Sequence, residues 1–380
     1  MKQYASLLYR QFATPSLRFE LREKIAWLRE QFGRLQLWNW EIARFTDTSS
    51  KTYDIIYIGR KARRDLAKSI LGVNQDVNVS YPEGTLPNRK VLVSEMPVPG
   101  ALQVPWYLIT IIPLGQPLEE LTARYNKKLR QLLRNARERY HTQQALDDAD
   151  IDRANRELLM PYATARRGDA AVQLQPDEVR KMAQEAGRLD LLYREGELVG
   201  CHLGYPISRL GKRYWAGLRV GFSNDVFSDS KLLHEVNSIN NYLALEWAAK
   251  NGFDFYDNGT SLARPDDGLL QWKRRRGGAV DKAGNHVYFY VRLPKDGVAQ
   301  FLWDAPLFAV EQHNLTLHLG VPEGLGKEEV AGRYRGMGFG GLFKVYLHCA
   351  KPVDGNLLGM LRELYKHEES PPSVEIISSI

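Results

Sequence analysis

Residues 240–278 read NNYLALEWAAKNGFDFYDNGTSLARPDDGLLQWKRRRGG, and no other stretch constrains the fold as tightly. A helical run reaches Asn251-Gly252, where glycine takes the left-handed backbone without a side-chain clash and the helix stops. Phe253-Asp254-Phe255-Tyr256 then alternates like a strand, Asp257-Asn258-Gly259 reads as a turn, and Trp272-Lys273-Arg274-Arg275-Arg276 follows with no acidic neighbour. Upstream, the same helix extends back to about residue 230, behind a strand at 214–220. A helix between two strands crosses over the sheet, which lets those strands lie parallel and leaves a crevice at their ends.

The elements before this crossover fit a mixed sheet. Strands at 189–193, 198–206 and 214–220, joined by Arg194-Glu195-Gly196-Glu197 and by residues 208–212, predict an antiparallel meander behind helices at 151–165 and 177–186. The first half predicts a helix at 17–32, strands at 35–45 and 53–58 around a polar turn at 46–51, and a helix at 60–71. Pro- and Gly-punctuated loops at 73–105 flank a strand at 91–94, and a buried strand follows at 106–112. Residues 118–140 predict one amphipathic helix, because Leu118, Leu121, Tyr125, Leu129, Leu132, Ala136 and Tyr140 recur at three and four residues. Asp147, Asp148, Asp150 and Asp152 mark a boundary between halves. Past the basic run come a strand at 286–293 and a tail with strands near 315–319, 343–348 and 374–377. The expected class is mixed α/β, divided at 1–148, 149–300 and 301–380.

Charge narrows the partners. The chain carries 52 Lys and Arg against 45 Asp and Glu, a net +7, and the excess gathers in two places, residues 124–139 and 272–276. Clustering favours a polyanionic partner such as RNA, a nucleotide or a phosphorylated carrier, although a solvated helical face accounts for either run taken alone. Cys201 and Cys349 lie far apart, which predicts neither a disulfide framework nor a zinc knuckle and fits a reducing cytoplasm. No apolar run approaches the ~18 residues of a membrane span, and the first twelve residues lack the pattern of a signal peptide.

No G-x-S-x-G elbow, H-E-x-x-H zinc motif or Walker loop occurs. The runs DLLYREGELVGCHLGYPI, RYWAGLRVGF and YDNGTSLARPDDGLLQWKRRRGG, in that order, resemble the Fem-type peptidyltransferases and their relatives in the GNAT acyltransferase superfamily. The resemblance covers about residues 50–295. It implies two tandem GNAT-like halves, the first degenerate, with the helix RYNKKLRQLLRNARERY closing that first half and a C-terminal α/β extension beyond both. One departure stands out: the loop that holds pyrophosphate in acetyl-coenzyme A enzymes, R/Q-x-x-G-x-G/A, is replaced at 221–230 by GFSNDVFSDS. It has no glycine after Gly221, and Asp225 and Asp229 would repel phosphate. The spelling R-x-x-G-x-G recurs at 333–338, RYRGMG, but after a helix and before a strand, where a turn is the simpler reading.

The resemblance implies amide formation from an aminoacyl-transfer RNA co-substrate, with acyl-coenzyme A or an acyl carrier as the alternative donor, an amine-bearing acceptor, and no tightly bound cofactor or metal. Direct transfer needs a free amine, donors for an oxyanion and a proton route, with no side-chain nucleophile. Gly221 is a candidate bulge exposing backbone N–H groups, or a turn glycine. Asp257 matches the family's D-x-G feature, orienting an amine or closing an Asx turn. Tyr256 is a candidate proton donor or a half-buried strand tyrosine. Trp272 and Lys273 match the aromatic–lysine pair implied to hold donor phosphates, with Arg274, Arg275 and Arg264 assisting and the indole stacking on a base. His202 and His234 read as structural.

Overall fold

A computed structural model describes residues 15–46, 54–73, 78–80, 90–168, 174–185, 187–281, 287–352, 357, 359, 362, 363 and 371–378. Beyond Thr46, the polar turn expected at 46–51 lies outside them, as does much of the loop region 73–89. In chain order the strands are β1 (Trp40–Thr46), β2 (Asp54–Arg60), β3 (Asn78–Ser80), β4 (Lys90–Ser94), β5 (Leu102–Pro105), β6 (Tyr107–Pro113), β7 (Tyr140–Gln144), β8 (Arg188–Arg194) and β9 (Glu197–Arg209). They continue as β10 (Lys212–Phe222), β11 (Phe255–Leu262), β12 (Ala279–Val280), β13 (Tyr288–Arg292), β14 (Leu307–Glu311), β15 (Asn314–Val321), β16 (Leu342–Cys349) and β17 (Ser373–Ser378). The chain forms two compact units. The first takes Met1–Lys24, Ile111–Gly259 and Arg275–Gly277; the second takes Ile25–Thr110, Thr260–Arg274 and Gly278–Ile380.

In the first unit, β7, β8, β9 and β10 form an antiparallel run, β11 joins parallel to β10, and β6 lies beside β11. Helices Asp148–Ala154, Met160–Arg167 and Pro176–Glu185 sit between β7 and β8, and the helix Ser230–Lys250 crosses from β10 to β11. Helices, meander, crossover helix and parallel strand therefore follow in the expected order. The crossover helix starts where Asp229 caps it and ends before Gly252, whose φ of 70° is left-handed. Val236, Ile239, Leu245 and Ala248 are buried in the same apolar cluster as Trp215, Phe222 and Phe253. Trp215 anchors this layer, its ring 4.5 Å from Trp247 and 5.2 Å from Phe253. The ring fits because Gly204 has no side chain: a Cβ there would come within 2.3 Å of it.

Two expectations in this unit are corrected. Residues 118–140 are not one helix but Leu118–Ala123 and Lys127–Ala136, followed by a 3-10 turn and β7. Asn126 divides them, its side chain accepting from Leu129 N at 2.8 Å and so starting a new helix inside an unbroken apolar stripe. Nor is Asp257-Asn258-Gly259 a chain-reversing turn. It lies within β11, which begins at Phe255 rather than Phe253; the Asx-type bond from Gly259 N to Asp257 Oδ1, 2.6 Å, and the Gly259 φ of 71° occur inside the strand.

The second unit holds two sheets of its own. One runs β3-β1-β2-β4-β13-β5, with β1 antiparallel and β4 parallel to β2. Here β1 starts at Trp40 rather than Leu35, since Leu37–Asn39 forms a 3-10 turn and Leu35, Leu37 and Trp38 remain exposed. The fully buried Glu95 is neutralised by Arg60, which meets it through both side chain and backbone, and it also accepts from the Tyr57 hydroxyl. The tail sheet is β14-β15-β16-β17, with β14 a strand not expected from sequence. Residues 333–338 leave the helix Lys327–Tyr334 and lead to β16, so the R-x-x-G-x-G spelling serves as a turn.

Gly320 on β15 fixes how the tail sheet takes its helix. A Cβ there would come within 1.8 Å of the Ala299 carbonyl and 2.5 Å of Trp303 N, backbone atoms of the helix Val298–Asp304. Gly320→Ala is expected to cost about 3 kcal/mol by overpacking. Urea unfolding measures this, and an unchanged midpoint would show that the helix does not press on β15.

Candidate functional site

In the first unit, β10 and β11 touch only briefly. Tyr214, Trp215 and Ala216 pair with Phe255, Tyr256 and Asp257, and there the parallel pairing ends, although both strands continue. The register of β10 against β9 shifts between Gly217 and Arg219, a bulge that turns β10 away from its parallel neighbour. Residues 217–220 are consequently half-exposed in mid-strand, as are Asn258 and Gly259 on β11. The fork between the strands is a crevice.

Buried polar groups gather at the fork. Tyr256 is 3% exposed and its hydroxyl is 2.8 Å from His202 Nε2 on β9, itself 2% exposed. Gly217 leaves them room, since a Cβ there would meet the Tyr256 hydroxyl at 2.5 Å and His202 Nε2 at 3.2 Å. From the crossover helix, the Asn241 amide donates to the Tyr256 hydroxyl and lies 3.5 Å from Asn258 Oδ1, while Asn240 donates to the Cys201 carbonyl. Asn258 Nδ2 is buried without a hydrogen-bond partner. Such a donor is costly to leave unmade.

Burial sets the protonation of the pair. It lowers the His202 pKa to about 4, against a weaker opposing pull from Asp190, so the imidazole is neutral near pH 7. Burial, with the Asp257 carboxylate adding to it, pushes the Tyr256 hydroxyl well above its ordinary value and keeps it protonated. The Tyr256 hydroxyl and Nε2 of the neutral ring share a hydrogen bond whose direction follows the imidazole tautomer. The resulting chain, Asn241 to Tyr256 to His202, can lend and recover a proton.

The other expected residues have separate surroundings. Asp257 is buried and ion-paired to Arg209 at 2.8 Å. Gly221 sits in regular register opposite Cys201, so the bulge expected there occurs four residues earlier; its missing side chain admits the backbone of Leu158 and Leu159, 2.6–2.8 Å from a would-be Cβ. Arg275 is exposed in the first unit. In the second unit, Trp272, Lys273 and Arg274 share the helix Gly268–Arg274. Lys273 is 3% exposed, with Nζ 2.8 Å from the Thr260 carbonyl, Trp272 is half-buried, and Arg274 Nε donates to Gln271. Arg264 pairs with Asp266. Tyr256 is the expected residue that the fold brings to the fork, and the partner missed from sequence is His202. Its signal was there: Tyr256 and His202 lie on strands either side of β10, but which rows face each other depends on the register.

The N–H groups at the start of the crossover helix are partly taken. Asp229 Oδ1 accepts from Lys231 N at 2.8 Å and Leu232 N at 3.2 Å, so a carboxylate of the chain itself occupies the N–H groups that would otherwise meet a pyrophosphate. Among the described residues, no group of three His, Cys, Asp or Glu is arranged to hold a metal ion, and no helix is long and apolar enough to cross a membrane.

No protein-family profile and no curated protein matches the chain. Solved structures similar to it include FemX, 13% identical over 72% of this chain and 93% of that one with a TM-score of 0.39. L-PGS from Bacillus licheniformis is 10% identical over 67% and 82%, TM-score 0.32. A GCN5-related N-acetyltransferase from Anabaena variabilis is 8% identical over 71% and 62%, TM-score 0.29.

Neutral burial of His202 makes stability depend on pH. The unfolded imidazole takes a proton below its ordinary 6.5 and the folded one only below about 4. Stability is therefore full above pH 6.5 and falls as pH drops toward 4, by up to about 1.4 kcal/mol per pH unit. His318 and His348 of the second unit, lowered by burial to about 3 and about 4, act in the same direction. Urea unfolding across pH 7 to 4 should show one proton less of dependence in His202→Gln than in the parent, and identical slopes would mean that His202 is already charged in the fold.

Proposed function

We propose that the protein is an amide-forming acyltransferase of GNAT-like fold that moves an aminoacyl group from transfer RNA to an amine. The observation that carries this reading is the fork itself: two parallel strands that part after three residue pairs, with a protonated tyrosine, a neutral histidine and an unpartnered buried amide at the branch. Three functions are served together there. Asn258 Nδ2 is a donor for the oxyanion that develops as the amine nitrogen attacks the ester carbonyl. As the carbon–oxygen ester bond breaks, Tyr256 gives its proton to the leaving hydroxyl oxygen. It regains a proton from the attacking nitrogen, with His202 and Asn241 holding its oxygen in place. Asp257, through its pair with Arg209, and Gly221, through its seat on residues 158–159, fix the two strands on either side.

Transfer RNA is favoured over acyl-coenzyme A as donor because Asp229 already fills the helix N-terminus that a pyrophosphate would use. The runner-up is a non-catalytic RNA-binding protein, favoured by the clustered basic charge; RNA binding with no transfer to any amine would select it. For Trp272, Lys273, Arg274 and Arg264 of the second unit, and for Arg275, the role in holding donor phosphates rests on the resemblance of the sequence.

Incubation with labelled aminoacyl-transfer RNA, or with acyl-coenzyme A thioesters, and a panel of amines tests the donor; turnover of the thioesters alone would overturn the preference. Tyr256→Phe should lower kcat by about 10²- to 10⁴-fold with the fold intact, the loss typical of a removed general acid. Full activity would remove Tyr256 from the chemistry. Lys273→Met, which keeps the unbranched stem of the buried side chain without its charge, should weaken donor binding, and an unchanged donor Kd would take Lys273 out of the donor site.

A further inference from the structure

The helix Lys127–Ala136 turns Leu129, Leu133 and Ala136 into the core and leaves Lys127, Lys128, Arg130 and Arg134 exposed. Their basic neighbours are engaged: Arg137 pairs with Glu246 at 2.6 Å and Arg139 with Glu235 at 3.0 Å. The four exposed cations have no such partner among the described residues. Arg130 and Arg134, one helical turn apart, border a groove of about 300 Å³ together with Arg137, Thr122, Glu119 and Tyr242 of the crossover helix. Glu119 is the one acid on that wall. Arg137 lies 5.5 Å from the centre of the Tyr242 ring, which forms part of the lining.

Inward of the helix, Tyr125 is 3% exposed with its hydroxyl buried and without a hydrogen-bond partner. Arg276 donates to Ser238 Oγ at 2.7 Å on the crossover helix.

We infer that the groove beside the helix Lys127–Ala136 is a docking surface for an RNA sugar–phosphate backbone. This rests on the proposed use of an RNA-borne acyl donor. RNA fits better than an acidic protein on two grounds. Planar guanidinium forks match phosphate oxygens, and a tyrosine ring among them offers a stacking face to a base, for which a carboxylate surface has no counterpart.

Uncharged transfer RNA is titrated onto the whole protein at several salt concentrations. Arg130→Gln with Arg134→Gln should flatten the dependence of log affinity on log salt by about 2 and weaken binding about tenfold, as expected for two lost phosphate contacts. The double Lys variant should restore the slope, and Arg153→Gln with Arg156→Gln, exposed cations on other helical turns, should leave it unaltered. Equal slopes in the parent and the Arg130/Arg134 Gln variant, or binding of polyglutamate in place of RNA, would overturn the docking surface. Transfer from an aminoacyl ester of adenosine, measured on the parent protein, judges the transferase reading separately, because so short a donor does not reach the groove.

Discussion

Three residue pairs between β10 and β11 are the contact on which the first unit turns. A full-length ladder would close the crevice. The pairing holds because Trp215, at its centre, is locked from behind by Trp247 and Phe253 and sits over the bare backbone of Gly204. It ends because the bulge at Gly217 to Arg219 bends β10 away. One strand thus contributes a rigid aromatic anchor and, a few residues on, an opening.

The polar groups at the opening are tolerated for the same reason. The crossover helix is apolar toward its C-terminal half, where Leu245 and Ala248 pack, but buries Ser238, Asn240 and Asn241 nearer its start. Burying amides is unfavourable unless each finds a partner. Asn240 takes the Cys201 carbonyl and Asn241 the Tyr256 hydroxyl, whereas Asn258 Nδ2 is left over at the fork. Desolvation keeps His202 neutral and Tyr256 protonated, the states that a proton-lending pair requires.

Charge is handled differently in the interior and at the surface. Glu95 and Asp257 are each matched to an arginine where water is excluded, whereas the cations of the helix Lys127–Ala136 face solvent unmatched. A buried unpaired charge would destabilise the fold, but an exposed one costs little and keeps its long-range field. Clustered charge that survives at the surface is therefore available to a polyanion.

Element type and order were legible from residue pattern alone. The meander, the Gly252 stop, the crossover and the parallel strand follow from alternation, helical period and glycine placement, which act over a few neighbours. The break at Asn126 and the strand running through Asp257 to Gly259 were not legible. A capping amide divides a helix without disturbing its apolar period, and an Asx bond reads the same in a turn as in a strand. The sequence by itself determined that Tyr256 lies on a strand after a crossover helix and that basic residues cluster on one helical face. Only the tertiary structure decided that His202 meets Tyr256, that Asp257 pairs with Arg209, that Lys273 is buried on a carbonyl, and that Asp229 occupies its own helix terminus. Those outcomes depend on strand register, the position of a bulge and the distribution of solvent, all of which arise from contacts between segments far apart in the chain.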